Sequence, residues 1–246
     1  MKISHAIKNK GRGWKQLVLA LFLGVALSGA AWAGPFPELD MNMDATHPAA
    51  ASIKYDGGVA PLIGTSISVD TILGIDTPLN AGFVNQVNCL SCLLAFTTGN
   101  LTGSDESSWF FGGGGTITVI GGVDLDDSGG ITAGDVALGT TLLTGSFISA
   151  EVIAIGGDFK VTIAAFTDTK DPGLTGFYGV GSGGWSGNLN LSFRAGGSPP
   201  LAFATAEGGV RSGDIVNIVP EPASLFLLGS GLVGFAGFAR RKLRKS

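Results

Sequence analysis

Residues 124–135 read Asp–Leu–Asp–Asp–Ser–Gly–Gly–Ile–Thr–Ala–Gly–Asp, and their oxygens recur at the spacing that wraps a chain around a hard cation. Counted from Asp124, side-chain oxygens stand at positions 1, 3, 5, 9 and 12, on Asp124, Asp126, Ser128, Thr132 and Asp135. Gly129 at position 6 permits a sharp turn, and the Gly130 carbonyl would supply the seventh position. Ile131 would tie the loop to a core. Carboxylate, hydroxyl and carbonyl oxygens suit Ca2+, and the competing reading is a solvated acidic turn in which Asp and Gly serve turn geometry alone.

The segment resembles the calcium loops of EF-hand and dockerin proteins, with two departures. Position 12 is Asp135 where EF-hands carry Glu, so a bidentate reach is less assured, and weak, extracellular-range affinity is expected. The flanks read as a strand (116–123) and a mixed segment (136–143), so only the loop is carried over, not the helix–loop–helix fold.

Cys89 and Cys92 are the only cysteines. A C-x-x-C pair in a reducing compartment suggests redox chemistry or half a zinc site. With no second pair, no βαβ pattern and signs of export, a small structural disulfide is expected, shaping the chain locally. Catalytic constellations are absent: there is no G-x-S-x-G, no G-x-x-x-x-G-K-[ST] and no H-E-x-x-H. His47 sits beside Pro48 and reads as a surface residue. Asp105 and Glu106 are the carboxylates weighed for glycoside hydrolysis. Trp109–Phe110–Phe111 and Phe177–Tyr178 with Trp185 are either core or sugar-stacking platforms. Thr116 and Thr118 form a single T-x-T, too short for an ice-binding array. The chain therefore reads as a non-enzyme, with a carbohydrate-binding module as the second reading and a polysaccharide hydrolase as the third.

These residues lie in a chain of 246 residues with 41 glycines, 45% hydrophobic and 14% charged. Such a composition excludes charge-driven disorder, and a pI near 5.1 argues against nucleic-acid binding. The net charge of −4 conceals three pieces: residues 34–222 hold five of the fifteen basic residues but all nineteen acids, a formal charge of −14. Within them, short alternating runs (66–69, 116–120, 159–163 and 189–193) are separated by glycine-rich punctuation at 56–58, 112–115, 156–158 and 181–184. The fold class expected is mainly β, an antiparallel β-sandwich or jelly roll spanning 34–219.

The two ends differ in kind. Residues 1–33 have a basic start, an apolar run over 17–27 and Ala31–Trp32–Ala33, a secretory signal peptide for signal peptidase. At the other end, Pro220–Glu221–Pro222 precedes seventeen uncharged residues (223–239) and then the basic cluster Arg240, Arg241, Lys242, Arg244 and Lys245. Seventeen helical residues span about 25 Å, the short limit for a bilayer crossing. The basic cluster would hold that end in the cytoplasm. Glycines 229, 231, 234 and 237 form a face that a partner helix could approach.

This tripartite tail resembles the PEP-CTERM sorting signal of exported Gram-negative proteins. The resemblance covers 220–246 only. It implies an exosortase-type protease as partner, cleavage near the motif, membrane attachment through 223–239 before cleavage, and delivery to the cell surface or its exopolysaccharide. The expected role there is structural or adhesive, as in a biofilm matrix.

Overall fold

A computed structural model describes residues 36–44, 47–156 and 159–218. The signal peptide and the C-terminal membrane segment expected from sequence lie outside the described residues. Among the described residues, no helix is long and apolar enough to cross a membrane.

Strands form where residues alternate between the core and water. In β9 (Trp185–Ala195), Trp185, Leu189, Leu191, Phe193 and Ala195 point inward, while Ser186, Asn188 and Arg194 face out. The strand β1 (Glu38–Met43) buries Leu39, Met41 and Met43 and turns Glu38, Asp40 and Asn42 outward. The remaining strands are β2 (Ser52–Tyr55), β3 (Pro61–Ile75), β4 (Val87–Ser104), β5 (Ser108–Phe111), β6 (Gly114–Asp124), β7 (Val136–Ala154), β8 (Phe159–Lys170) and β10 (Phe203–Ile218).

Every pairing is antiparallel, and the ladder closes on itself. β3 pairs with β4, β4 with β5 and β6, and both of these with β7; β7, β8, β9 and β10 follow in order. The strand β10 then returns to β1 and β2, which both pair with β3. Because β1 and β2 share one position and β5 and β6 another, the ring has eight strand positions joined in chain order. This corrects the jelly-roll expectation: neighbours in sequence are neighbours in the sheet, so the crossovers of a Greek key are replaced by an up-and-down closed barrel. Closure leaves no position in the ring unpaired, which a two-sheet sandwich would not achieve.

Eight positions enclose a space that side chains fill. Trp109, Phe111, Phe166, Trp185, Phe193 and Phe203 are buried within one continuous core. The outer wall mixes Ser, Thr, Asn and Asp with exposed apolar side chains, among them Leu93, Ile120, Leu138, Ile148 and Ile163. One end is closed by the helix α1 (Pro172–Tyr178). The Asp171 carboxylate accepts N–H bonds from Gly173 (2.8 Å) and Leu174 (3.1 Å), and Pro172 occupies the first turn. Leu174 and Tyr178 enter the core, and Tyr178 Oη donates to the Ile72 carbonyl at 3.0 Å.

Candidate metal centre

The loop 124–135 joins β6 to β7 and is closed at its base by the pair Val123↔Val136. A strand enters it and a strand leaves it, so the context is a β-hairpin, in keeping with a loop borrowed without helices. The registers Asn88↔Asp124, Ile72↔Val87 and Glu38↔Ile218, together with Glu38↔Ile75, place this loop at the end of the barrel where β10 runs out.

Asp124, the last residue of β6, is 1% exposed, while Asp126 is exposed and Asp135 half-buried. One carboxylate oxygen from each of the three lies within 4.8 Å of the others. Oxygens that share a Ca2+ at its usual bond lengths lie at most about 5 Å apart, so the three fit one ion. Backbone donors fix the set. Gly129 N–H (2.8 Å) and Ser128 N–H (3.1 Å) donate to Asp124, and Ser128 N–H also reaches Asp126 (3.1 Å). Leu125 N–H (2.8 Å) and Thr132 N–H (2.7 Å) donate to Asp135. Thr132 Oγ1 bridges Asp126 (3.2 Å) and Asp135 (3.0 Å). Ser128 Oγ donates to the Gly130 carbonyl at 3.1 Å, so these two predicted ligands are bonded to each other beside the carboxylates. The reversal uses left-handed backbone at Asp127 (φ 56°) and Gly129 (φ 84°).

Burial pushes the Asp124 carboxyl up, but the Gly129 and Ser128 N–H groups outweigh it and hold the group below the ordinary carboxylate range. N–H bonds from Thr132 and then Leu125 lower Asp135 likewise. Asp124 and Asp135 are thus held ionised at neutral pH, a concentration of negative charge suited to a divalent cation.

The other predicted residues go elsewhere. The structure joins Cys89 to Cys92 by a disulfide inside β4, spanning Leu90 and Ser91, where the pairing with β6 shifts register and Ser91 has φ 53°. The bond therefore staples a bulge in the barrel wall. Asp105 caps its own turn, accepting N–H bonds from Ser107 (2.8 Å) and Ser108 (2.7 Å). His47 is half-buried, not a surface residue, and burial lowers its pKa. Of the six candidate aromatics, Trp109 and Tyr178 are 0% exposed, Trp185 1% and Phe111 2%, which makes these four core residues, while Phe110 and Phe177 are half-buried. The four buried rings fill the barrel interior because closure of the ring demands large inward side chains.

Sequence reasoning missed the polar groups inside the barrel: Lys160, Thr162, Asp168, Lys170 and Asn217 are all buried. Of the five basic residues in 34–222, two are thus internal, and the outer wall is correspondingly acidic. On that wall burial, then Asp214 and Glu38, push Asp40 up to about 6.

Residues 219–242 match the family model of the PEP-CTERM protein-sorting motif. No curated protein and no solved structure matches the chain. The chain therefore carries, immediately after β10, the signal of exported Gram-negative proteins that are processed by exosortase and sorted to the cell surface.

Proposed function

We propose that a chain carrying this sorting motif delivers its barrel outside the cell as a structural or adhesive component of the surface or exopolysaccharide layer. It acts without catalysis, and its loop 124–135 is ordered by Ca2+. The observation that supports this most is positional. The carboxylates of Asp124, Asp126 and Asp135 converge at the barrel end that β10 reaches at Ile218, one residue before the motif match begins. Removal of the matched segment would leave every described strand in the chain. A bound cation would neutralise three adjacent carboxylates and fix the hairpin between β6 and β7, in a compartment where calcium is millimolar.

Calcium titration of the purified protein tests this reading. At tenfold over Kd, a ligand that binds only the folded state adds about 1.4 kcal/mol. For a domain of this size that is a rise in Tm of roughly 3–6 °C. Asp124→Ala should abolish the rise while leaving the calcium-free Tm within a few degrees. A melting curve unmoved by millimolar calcium would refute the calcium assignment.

A further inference from the structure

Beneath α1, away from water, three polar side chains from two strands lie together. Asp168 and Lys170 point inward from β8, and Asn217 points inward from β10. Lys170 Nζ donates to Asp168 Oδ2, and neither side chain has any exposed surface. Asn217 Nδ2 donates to Asp168 Oδ1 at 2.8 Å. One carboxylate thus holds a lysine amine on one oxygen and an asparagine amide on the other. The Trp185 ring covers the Lys170 ammonium at 4.5 Å from its centroid, and Asn217 Oδ1 is buried without a hydrogen-bond partner.

The meeting is built by the intervening strand. β9 lies between β8 and β10, with Trp185 opposite Asp168 and Gly187 opposite Asn217. A Cβ at position 187 would stand 2.4 Å from Asn217 Nδ2 and 2.3 Å from the Phe166 ring, so glycine is what lets Asn217 occupy this place. Ion pairs buried this way are weak sources of stability, because desolvation offsets their attraction. The arrangement therefore invites a chemical explanation.

We propose that Lys170, Asp168 and Asn217 form an amide cross-link site, in which Lys170 Nζ displaces the amide nitrogen of Asn217 and ties β8 to β10. Burial lowers Lys170 to about 8 and raises Asp168, and their mutual attraction only partly opposes this. Both shifts bring amine and carboxyl closer in acidity, so a proton can pass from Lys170 to Asp168 and leave a neutral amine, which is the nucleophile. Turning the Asn217 amide about its last bond brings Oδ1 onto protonated Asp168, which polarises Cγ and supplies the partner that Oδ1 lacks. The Nζ–Cγ bond then forms and the Cγ–Nδ2 bond breaks. A proton released from Nζ passes through Asp168 to the departing nitrogen, which leaves as ammonia. The exchange of one amide for another involves no oxidation and no co-reactant.

The cross-link would bridge β9 and fasten the final strand two residues before the sorting-motif match begins at 219. Load or proteolytic fraying that enters through the tail would meet a covalent bond before it reached the barrel.

Intact and peptide mass spectrometry of the folded protein tests this without any variant. The expected result is a deficit of one ammonia and a branched peptide joining residue 170 to residue 217. Asp168→Asn should restore the full mass. Asn217→Asp, which keeps an electrophilic carbonyl, should give the same product with a deficit of one water. A merely structural polar cluster would leave all masses unchanged. An unbranched wild-type peptide at full mass, or a deficit of one water mapped to Lys170 and Asp168, would overturn the proposal.

Discussion

Trp109→Ala is expected to destabilise the barrel by about 3–5 kcal/mol, a large part of the stability of a domain this size. The indole is 0% exposed and packs edge-on against Phe203 at 4.9 Å between centroids. Its Nε1–H donates to the Leu201 carbonyl at 3.1 Å, and the Lys160 ammonium lies 5.5 Å from its ring. Truncation would open a cavity in the middle of the barrel wall's inner layer, and a closed ladder cannot collapse far to fill it. Urea denaturation followed by far-UV circular dichroism would report the loss as a lower midpoint with unchanged slope. A variant within 1 kcal/mol of the parent would mean that the ring is not part of the core, and would return it to the role of an exposed sugar platform.

Lys170→Met should cost a similar amount, about 3–5 kcal/mol at neutral pH, for an electrostatic reason. Relative to a chain without the cross-link, the substitution preserves volume but leaves Asp168 buried without its cation. With Lys170 removed, burial acts on Asp168 against the Asn217 hydrogen bond only, so its folded-state pKa rises further above the unfolded value. A carboxyl shifted in this direction is fully accommodated below the unfolded pKa near 4, and stability is lost as pH climbs through the raised folded value. The variant's deficit should therefore shrink toward pH 4 and be largest at pH 7. Lys170→Met combined with Asp168→Leu, which removes both charges, should recover most of the loss. Denaturation at the two pH values, for the single and double variants, checks the argument. A deficit independent of pH, or a double variant no better than the single, would contradict it. Loss of the cross-link adds to the deficit of the single variant, and mass spectrometry separates the two contributions.

Much of the barrel was legible as pattern. The runs at 66–69, 116–120, 159–163 and 189–193 fall inside β3, β6, β8 and β9, and the glycine punctuation at 56–58 and 181–184 falls between elements. Closure was not legible, because ring and sandwich share a period of two, and only the return of β10 to β1 and β2 tells them apart. Glycine also misled, since many glycines sit within long strands. Gly64 lies under Phe96 and Gly187 under Phe166, where absent side chains make room for large neighbours.

The segment 159–163 shows a subtler failure. Its alternation suggests the apolar set faces inward, yet Lys160 and Thr162 are 0% exposed and Ile163 is 47% exposed. The register is set by Ala164 and Phe166 further along β8, whose parity carries Lys160, Asp168 and Lys170 into the core. The helix α1 was not anticipated, because seven residues are too few for a helical period. In the loop 124–135 the convergence of Asp124, Asp126 and Asp135 was legible, because their spacing is a local property of the chain. The triad of Asp168, Lys170 and Asn217 was not, because its members meet only across a third strand.

Fractionation of producing cells, with mass spectrometry of the mature termini, tests most directly whether the tail sorts this barrel. The parent chain should be recovered from the surface or matrix fraction with the segment after the Pro220–Glu221–Pro222 region removed. Replacing these three residues by alanine should leave the chain unprocessed in the membrane fraction. Recovery of the variant from the same fraction as the parent, with the same mature C-terminus, would contradict the account.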